Sequence, residues 1–191
     1  MPKLPNKVKF GLSHVHYALL NTDESGAITF GTPKPIPGAV NLSLTPQGDT
    51  NTFYADNVAY YVSVGNSGYQ GDLEIALLPD SFAQDVLKEQ LDSTDKVMVE
   101  SSAVEAAPFA LLFEFSGDQH AVRHVLYNCT AARPNITGAT TTNTKEPQTA
   151  SLSITAAPLA DGRVKAKTTA DTPEAVYAGW YQSVWKPGEV V

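Results

Sequence analysis

The side chains that could do chemistry in this sequence are few, and their spacing does not assemble them into a catalytic set. His14 and His16 lie two residues apart, which in a strand would put both imidazoles on one face, as a metal site can require. His120 and His124 stand at no ligand spacing that would complete such a site, so we interpret the pair as surface or interface histidines. Cys129, the only cysteine, lies in an apolar stretch, which favours a buried, unreactive thiol over a nucleophile.

Asp72 and Glu74 are the other pair at a suggestive spacing. Two carboxylates on one face of a strand can do acid and base chemistry. Because they alternate with Leu73 and Ile75, the pattern predicts instead a solvent-facing acidic side of a strand whose other side is core. The sequence also has no glycine-rich phosphate loop opening a helix and no Gly-x-Ser-x-Gly motif. We therefore predict no enzymatic activity, no metal and no cofactor.

Composition narrows the class of protein further. The chain has 191 residues and a formal net charge of −7, so it lacks the Lys and Arg excess that neutralises nucleic-acid phosphates. A single cysteine excludes an intramolecular disulfide and suits a reducing compartment. The first residues contain no apolar signal-peptide core, and no apolar run reaches the roughly 18 to 20 residues that span a bilayer. We expect no membrane association.

Period-two alternation of apolar and polar residues dominates the chain and predicts a mainly β fold. We expect a β-sandwich or partly open barrel of about eight antiparallel strands, with one or two flanking helices and a long extended loop. Prolines at alternate positions in 32–38 exclude a central strand there. Residues 134–148, rich in Thr and Asn, are predicted to form a second loop or a flexible segment. The predicted strands cover residues 8–19, 28–30, 39–44, 72–77, 96–100, 108–116, 121–131, 152–154 and 163–168, with Asp161-Gly162 as the hairpin turn into the last of them.

Two amphipathic helices are predicted. Ser81 and Gln84 fit a capping box, and Thr172-Pro173 fits an N-cap followed by proline at the first helical position. The buried stripe of the first is Phe82, Val86, Leu87 and Leu91, and that of the second is Val176, Tyr177, Trp180, Tyr181 and Val184.

The segment between the strands at 39–44 and 72–77 is the most unusual feature of the sequence. It runs over residues 45–71, whereas most connections in a compact domain have about 4–6 residues. A segment with much aromatic area does not remain solvated as a flexible linker. We therefore expect it to lie against a partner subunit, with a bound ligand as the second alternative. Its aromatic residues are Phe53, Tyr54, Tyr60, Tyr61 and Tyr69.

Several stretches, taken in order, resemble the major tail tube proteins of long-tailed bacteriophages with non-contractile tails. The resemblance covers about residues 8 to 186, and the ordered set is more specific than any one stretch. The stretches are GLSHVHY at 11–17, GTP at 31–33, PGAVNLSL at 37–44, YAD at 54–56, GYQGDLEIALLP at 68–79, FALLFEF at 109–115, RHVLYNCTA at 123–131 and EPQTASLSI at 146–154.

This resemblance implies a structural protein of the virion, assembled in the host cytoplasm. Its subunits would form hexameric rings that stack into a hollow tube, with the tape-measure protein and the tail terminator and baseplate proteins as further partners. Residues 1–191 would be one tail-tube domain, with 45–71 as the extended loop or hairpin that reaches a neighbouring subunit or ring. The immunoglobulin-like domain that some relatives carry after this point is expected to be absent.

An acidic lumen follows from this assignment, because genome DNA must pass without binding. Asp72, Glu74 and Glu114 are the candidate lumenal carboxylates, since each alternates with apolar neighbours in a predicted strand. The alternative function from another class is a carbohydrate-binding β-sandwich for host recognition. It would need the aromatic residues exposed on a fixed platform rather than buried between subunits.

Overall fold

A computed structural model of the chain describes residues 4–140 and 146–188. The fold is mainly β, as the alternation predicts, and its main sheet is not closed into a barrel. In these described ranges the strands are β1 Lys9–Thr22, β2 Ile28–Phe30, β3 Lys34–Pro35, β4 Ala39–Gln47, β5 Thr50–Ala55, β6 Val58–Val64, β7 Gly68–Ile75, β8 Gln90–Leu91, β9 Met98–Val99, β10 Phe109–Gly117, β11 Val122–Ala131, β12 Ala150–Ala156 and β13 Lys165–Lys167, and the helices are α1 Asp80–Asp85 and α2 Glu174–Gly179.

One antiparallel sheet of nine strands forms the body of the subunit. Its order is β2-β1-β10-β11-β12-β7-β4, with β3 added to β1 and β13 added to β11. The proline-rich β3 lies at the edge, as expected for a strand that cannot donate a full ladder of hydrogen bonds. The sheet curls around its own main core, so Tyr17 of β1 and Leu73 of β7 belong to the same buried cluster, into which α1 contributes Phe82.

A second core covers the opposite face of β10 and β11. The segment from α2 to Val184 packs there, and Leu112, Tyr127 and Trp180 are buried in it. Strand β10 is therefore enclosed on both faces, which explains its near-continuous apolar sequence from Phe109 to Phe113. The predicted hairpin of β10 and β11 is confirmed by their antiparallel register.

Both helices are shorter than predicted and neither uses the predicted cap. Pro79 and Pro173 occupy the N-cap positions, and no side chain caps either helix. Phe82, Val86 and Leu87 are buried as predicted, whereas Leu91 lies in the exposed strand β8. Beyond the end of each short helix, further residues of the predicted stripe remain buried although the chain there is irregular. Burial against the sheet, rather than helical propensity, holds these residues in place.

Two strand predictions also need correction. The strand after the Asp161-Gly162 turn does not pair with β12; β12 and β13 instead pair with successive stretches of β11. Phe10, at an alternating apolar position of the predicted strand 8–19, is exposed, and β1 changes register twice along β10 before it enters the core. The second predicted loop, 134–148, has no strand or helix in 134–140 and 146–148, and residues 141–145 lie outside the described residues.

Candidate assembly surfaces

Residues 49–65, within the long segment, form a β-hairpin, β5–β6, that continues the β4–β7 pair beyond the main sheet. Asp56 and Asn57 make its two-residue turn, with φ values of 50° and 61°. Left-handed backbone at both central positions defines the tight hairpin turn whose twist matches the flanking strands, and Asp and Asn tolerate it well. The six residues of β5, at about 3.3 Å each, give the hairpin a length of roughly 20 Å.

Both faces of this hairpin carry exposed apolar side chains. Register pairs Phe53 with Tyr61 on one face and Thr52 with Val62 on the other, and a bulge follows between Phe53 and Tyr54. The exposed fractions of Tyr54 and Tyr60 are 67% and 72%, large for aromatic side chains. Four of the five predicted aromatic residues (Phe53, Tyr54, Tyr60 and Tyr61) thus come together on the hairpin.

Tyr69, the fifth, lies elsewhere. It is half-buried at the start of β7, where the Lys165 ammonium donates a hydrogen bond to its hydroxyl and sits 4.4 Å from its ring centroid. Its ring lines a depression of about 290 Å³ at the end of the curled sheet, which we call the basic mouth (Lys9, Tyr69, Phe113, Phe115, His124 and Lys165). The sequence pattern did not predict this depression, because the six residues named come from five strands distant in sequence.

His124 forms part of the wall of the basic mouth. Its ring stacks on Phe113 with centroids 5.1 Å apart and packs edge-on against Phe115. Burial, with the charges of Lys167, Lys165 and Lys9, lowers the pKa of His124 to about 4. The imidazole is therefore neutral at pH 7, and the positive charge of this end belongs to the lysines.

The outer side of β4, β7 and β12 forms a polar, acidic surface. As predicted, Leu73 and Ile75 are fully buried while Asp72 is exposed, and Glu74 is half-exposed. Ser153 donates a hydrogen bond of 2.6 Å to Asp72, and Thr149 donates one of the same length to Glu74. The strand positions beside the two carboxylates hold Asn41, Ser43, Ser151 and Ser153, none of them basic. We call this surface the acidic face.

Glu114 does not share the acidic face, which corrects its expected exposure. Its side chain is buried and forms an ion pair with Arg123, with an Nε–Oε2 distance of 3.0 Å. Tyr181 donates a hydrogen bond to the same carboxylate, and His14 Nδ1 lies 2.8 Å from its other oxygen. The alternation of Glu114 with phenylalanines did place it opposite the main core, but the segment after α2 covers that side too.

The two histidines of β1 and the cysteine pack against other side chains and form no reactive cluster in the described chain. His14 occupies a bulge of β1 with φ of 51°, and His14 and His16 both lie against the ring of Tyr181. Among the described residues no group of three or more His, Cys, Asp or Glu side chains is arranged to hold a metal ion. Cys129 is fully buried, as predicted, and burial raises the pKa of its thiol to about 12.

No protein-family model matches the chain, and no curated protein matches it either. None of the helices in the described part of the chain is long and apolar enough to cross a membrane.

Proposed function

We propose that this chain is the structural subunit of a bacteriophage tail tube, in which rings of subunits stack around a lumen that conducts DNA. The observation that carries the proposal is the β5–β6 hairpin. A two-stranded hairpin alone is marginally stable in water, and three strands or a packed face are needed for independent stability. This hairpin has apolar side chains on both faces and exposes them, so a neighbouring protein surface is required to cover it.

The edges of the main sheet favour the same conclusion. β4 ends the sheet with nine residues and has β7 as its only partner strand in the described chain. A long open edge invites pairing with another copy of the chain, and ring closure satisfies such edges. Head-to-tail contacts that do not close generate an open filament, which suits stacked rings.

The acidic face supplies the surface that a DNA conduit needs. Asp72 and Glu74 present negative charge among hydroxyl and amide groups, with no basic side chain beside them in the strand register. Such a wall repels phosphates and offers no release of counterions to hold DNA. In this assignment DNA passes without specific binding, and the subunit is part of the virion, with tape-measure, terminator and baseplate proteins as partners and no enzymatic activity.

The test is negative-stain electron microscopy of the purified protein over a range of concentrations, with and without the hairpin. In the shortened variant an Asn-Gly turn replaces residues 49–64, so that the β4–β7 pair is kept. We expect the full chain to form tubes or rings with a central hole and the shortened chain to remain a folded monomer. A full chain that stays monomeric and binds glycans would overturn the proposal in favour of a carbohydrate-binding module.

A matched pair of point variants separates a specific contact from general stickiness. Tyr60→Ser removes an exposed ring on the hairpin, and Ile136→Ser removes a fully exposed side chain outside it. We expect only Tyr60→Ser to reduce tube formation. If the shortened chain still polymerises with normal ring spacing, the hairpin is not the assembly element.

A further inference from the structure

The basic mouth lies at the end of the sheet from which the hairpin leaves. β1 begins there at Lys9, β10 approaches its end at Phe115, and β4 gives way to the hairpin at Gln47. The floor and walls are aromatic or aliphatic, with leucines of β4 beside Phe113 and Phe115. The curled sheet is therefore open at this end, where half-buried residues packed against its main core, such as Leu44 and Phe115, are accessible.

Two ammonium groups stand at the mouth without carboxylate partners. Lys9 lies 4.7 Å from the ring centroid of Phe115, and Lys165 contacts Tyr69. Within residues 4–140 and 146–188 neither lysine forms an ion pair, although the chain as a whole carries a net charge of −7. An apolar depression bordered by unpaired cations favours an occupant that is both apolar and anionic.

The hairpin has that chemistry. Residues 48–66 contain Asp49 and Asp56 and no Lys, Arg or His. Asp56 lies at the turn, two residues after Tyr54, and Tyr60 lies at the bulge of the facing strand, so the tip combines a carboxylate with aromatic rings. In the described chain no hairpin residue lines the mouth of its own subunit.

We propose that the basic mouth receives the acidic, aromatic tip of the hairpin of a second copy of this chain. An aromatic ring of the tip fills the depression, and the Asp56 carboxylate lies between Lys9 and Lys165. The proposal rests on the tail-tube function and names the surface that the hairpin engages. A single contact of this kind covers the apolar side chains of the hairpin tip and also the apolar residues that line the basic mouth.

Disulfide cross-linking in assembled tubes tests the contact directly. Ala55→Cys with Lys167→Cys places one thiol beside Asp56 and one two residues after Lys165, at the strand position that pairs with His124, and leaves Lys9, Lys165 and Asp56 unchanged. Cys129 is fully buried and does not compete. After mild oxidation we expect covalent oligomers on a non-reducing gel. The control, Ala55→Cys with Lys88→Cys, places the second thiol on the exposed residue Lys88, just after α1 at the other end of the sheet, and should give none.

A charge exchange provides a second measurement if the thiols interfere with assembly. Asp56→Lys and Lys165→Glu should each raise the protein concentration needed for tube formation about tenfold, and their combination should restore most of the loss. Lys88→Glu, with the same change of charge as Lys165→Glu, should have little effect.

The outcomes separate this proposal from the function on which it rests. Tubes that form normally but show neither cross-links nor charge-exchange rescue would overturn the mouth as the docking surface and leave the tube subunit standing. Cross-linking of equal strength in the Lys88 control would also overturn it. Absence of tubes from the unmodified chain under all conditions would overturn both.

Discussion

Two buried tyrosines differ in whether the hydroxyl group has a partner. Tyr17 donates a hydrogen bond of 2.8 Å to Asp85, whereas the Tyr127 hydroxyl has no partner in the described chain. A buried polar group without a partner opposes folding, while a typical buried hydrogen bond contributes about 1 kcal/mol. We expect Tyr127→Phe to leave the free energy of unfolding unchanged or to raise it by up to about 1 kcal/mol.

The matched variant Tyr17→Phe should lose about 1 kcal/mol, because it leaves Asp85 with one donor fewer. Urea denaturation of both variants measures the difference. A loss at Tyr127→Phe as large as that at Tyr17→Phe would show that the Tyr127 hydroxyl is satisfied in solution.

Because the pKa of His124 is lowered in the folded chain, we expect the free energy of unfolding to depend on pH. Burial lowers the pKa of the folded imidazole to about 4, while an unfolded histidine titrates near pH 6.5. Between these values the unfolded chain binds a proton that the folded chain does not, so stability is complete above about pH 6.5 and falls as the pH drops towards 4.

Since the ring is still partly exposed, we expect the loss to be on the order of 1 kcal/mol. The measurement compares unfolding free energies at pH 7 and pH 4.5 for the chain and for His124→Phe, which keeps an aromatic ring between Phe113 and Phe115. The difference should be smaller in the variant. An equal decrease in both proteins would place the titrating group elsewhere.

For Glu114 the sequence pattern predicted the side of the strand but not the burial of the carboxylate. Alternation assigned it correctly to the side opposite Phe113 and Phe115, yet could not show what covers that side. The covering residues, Tyr177 and Tyr181, come more than sixty residues later. Cys129 was predictable because it alternates with Tyr127 and Ala131 in a largely apolar strand, whereas burial of a carboxylate depends on a partner such as Arg123 that only tertiary structure brings near.

At the scale of elements, period-two patterns predicted the strands of the main sheet well, since one face of most of them is core. They failed for the hairpin, because both of its faces carry apolar side chains and the sequence therefore shows no regular alternation. A local signal was present in Asp56-Asn57, a pair suited to a two-residue turn between β-branched and aromatic residues. The helix bounds were wrong because short, sheet-supported helices carry little propensity signal of their own.

The junction between hairpin and sheet yields a prediction of its own. Gly68 has φ of 107°, and a Cβ built there would overlap the carbonyl oxygen of Ala156. Substitution therefore strains the backbone and disturbs the β7–β12 pair. We expect Gly68→Ala to lower the free energy of unfolding by about 2 kcal/mol or more, as measured by chemical denaturation.

Gly138→Ala is the control, since a Cβ at Gly138 meets no atom within 4 Å and its φ is not in the left-handed region. That change should stay within about 0.5 kcal/mol. If Gly68→Ala were equally mild, the hairpin would have room to re-orient at its base.

On the scale of the whole molecule, charge is sorted by surface. Carboxylates occupy the acidic face on β7, lysines border the basic mouth, and the hairpin that extends from β4 and β7 is aromatic and acidic at its tip. The net charge can be computed from composition, and by itself it predicts weak binding to DNA. The distribution of the charges over the surface cannot be predicted in this way, because it depends on which strands share a side of the curled sheet.

Reversing the charge of the acidic face tests whether it lines the lumen. If the acidic face lines it, Asp72→Lys with Glu74→Lys should leave assembly intact and make tubes retain duplex DNA, because each added cation gains counterion release on binding phosphate. We expect retention at low salt that decreases steeply as salt is raised, and DNA held in the lumen should resist a nuclease.

Glu24→Lys with Glu105→Lys makes the same change of charge at exposed positions elsewhere. DNA on these control tubes should be digested. Nuclease resistance in neither variant, or in both alike, would place Asp72 and Glu74 outside the lumen, and the tube would then be supported by the hairpin and the open edge of β4 alone.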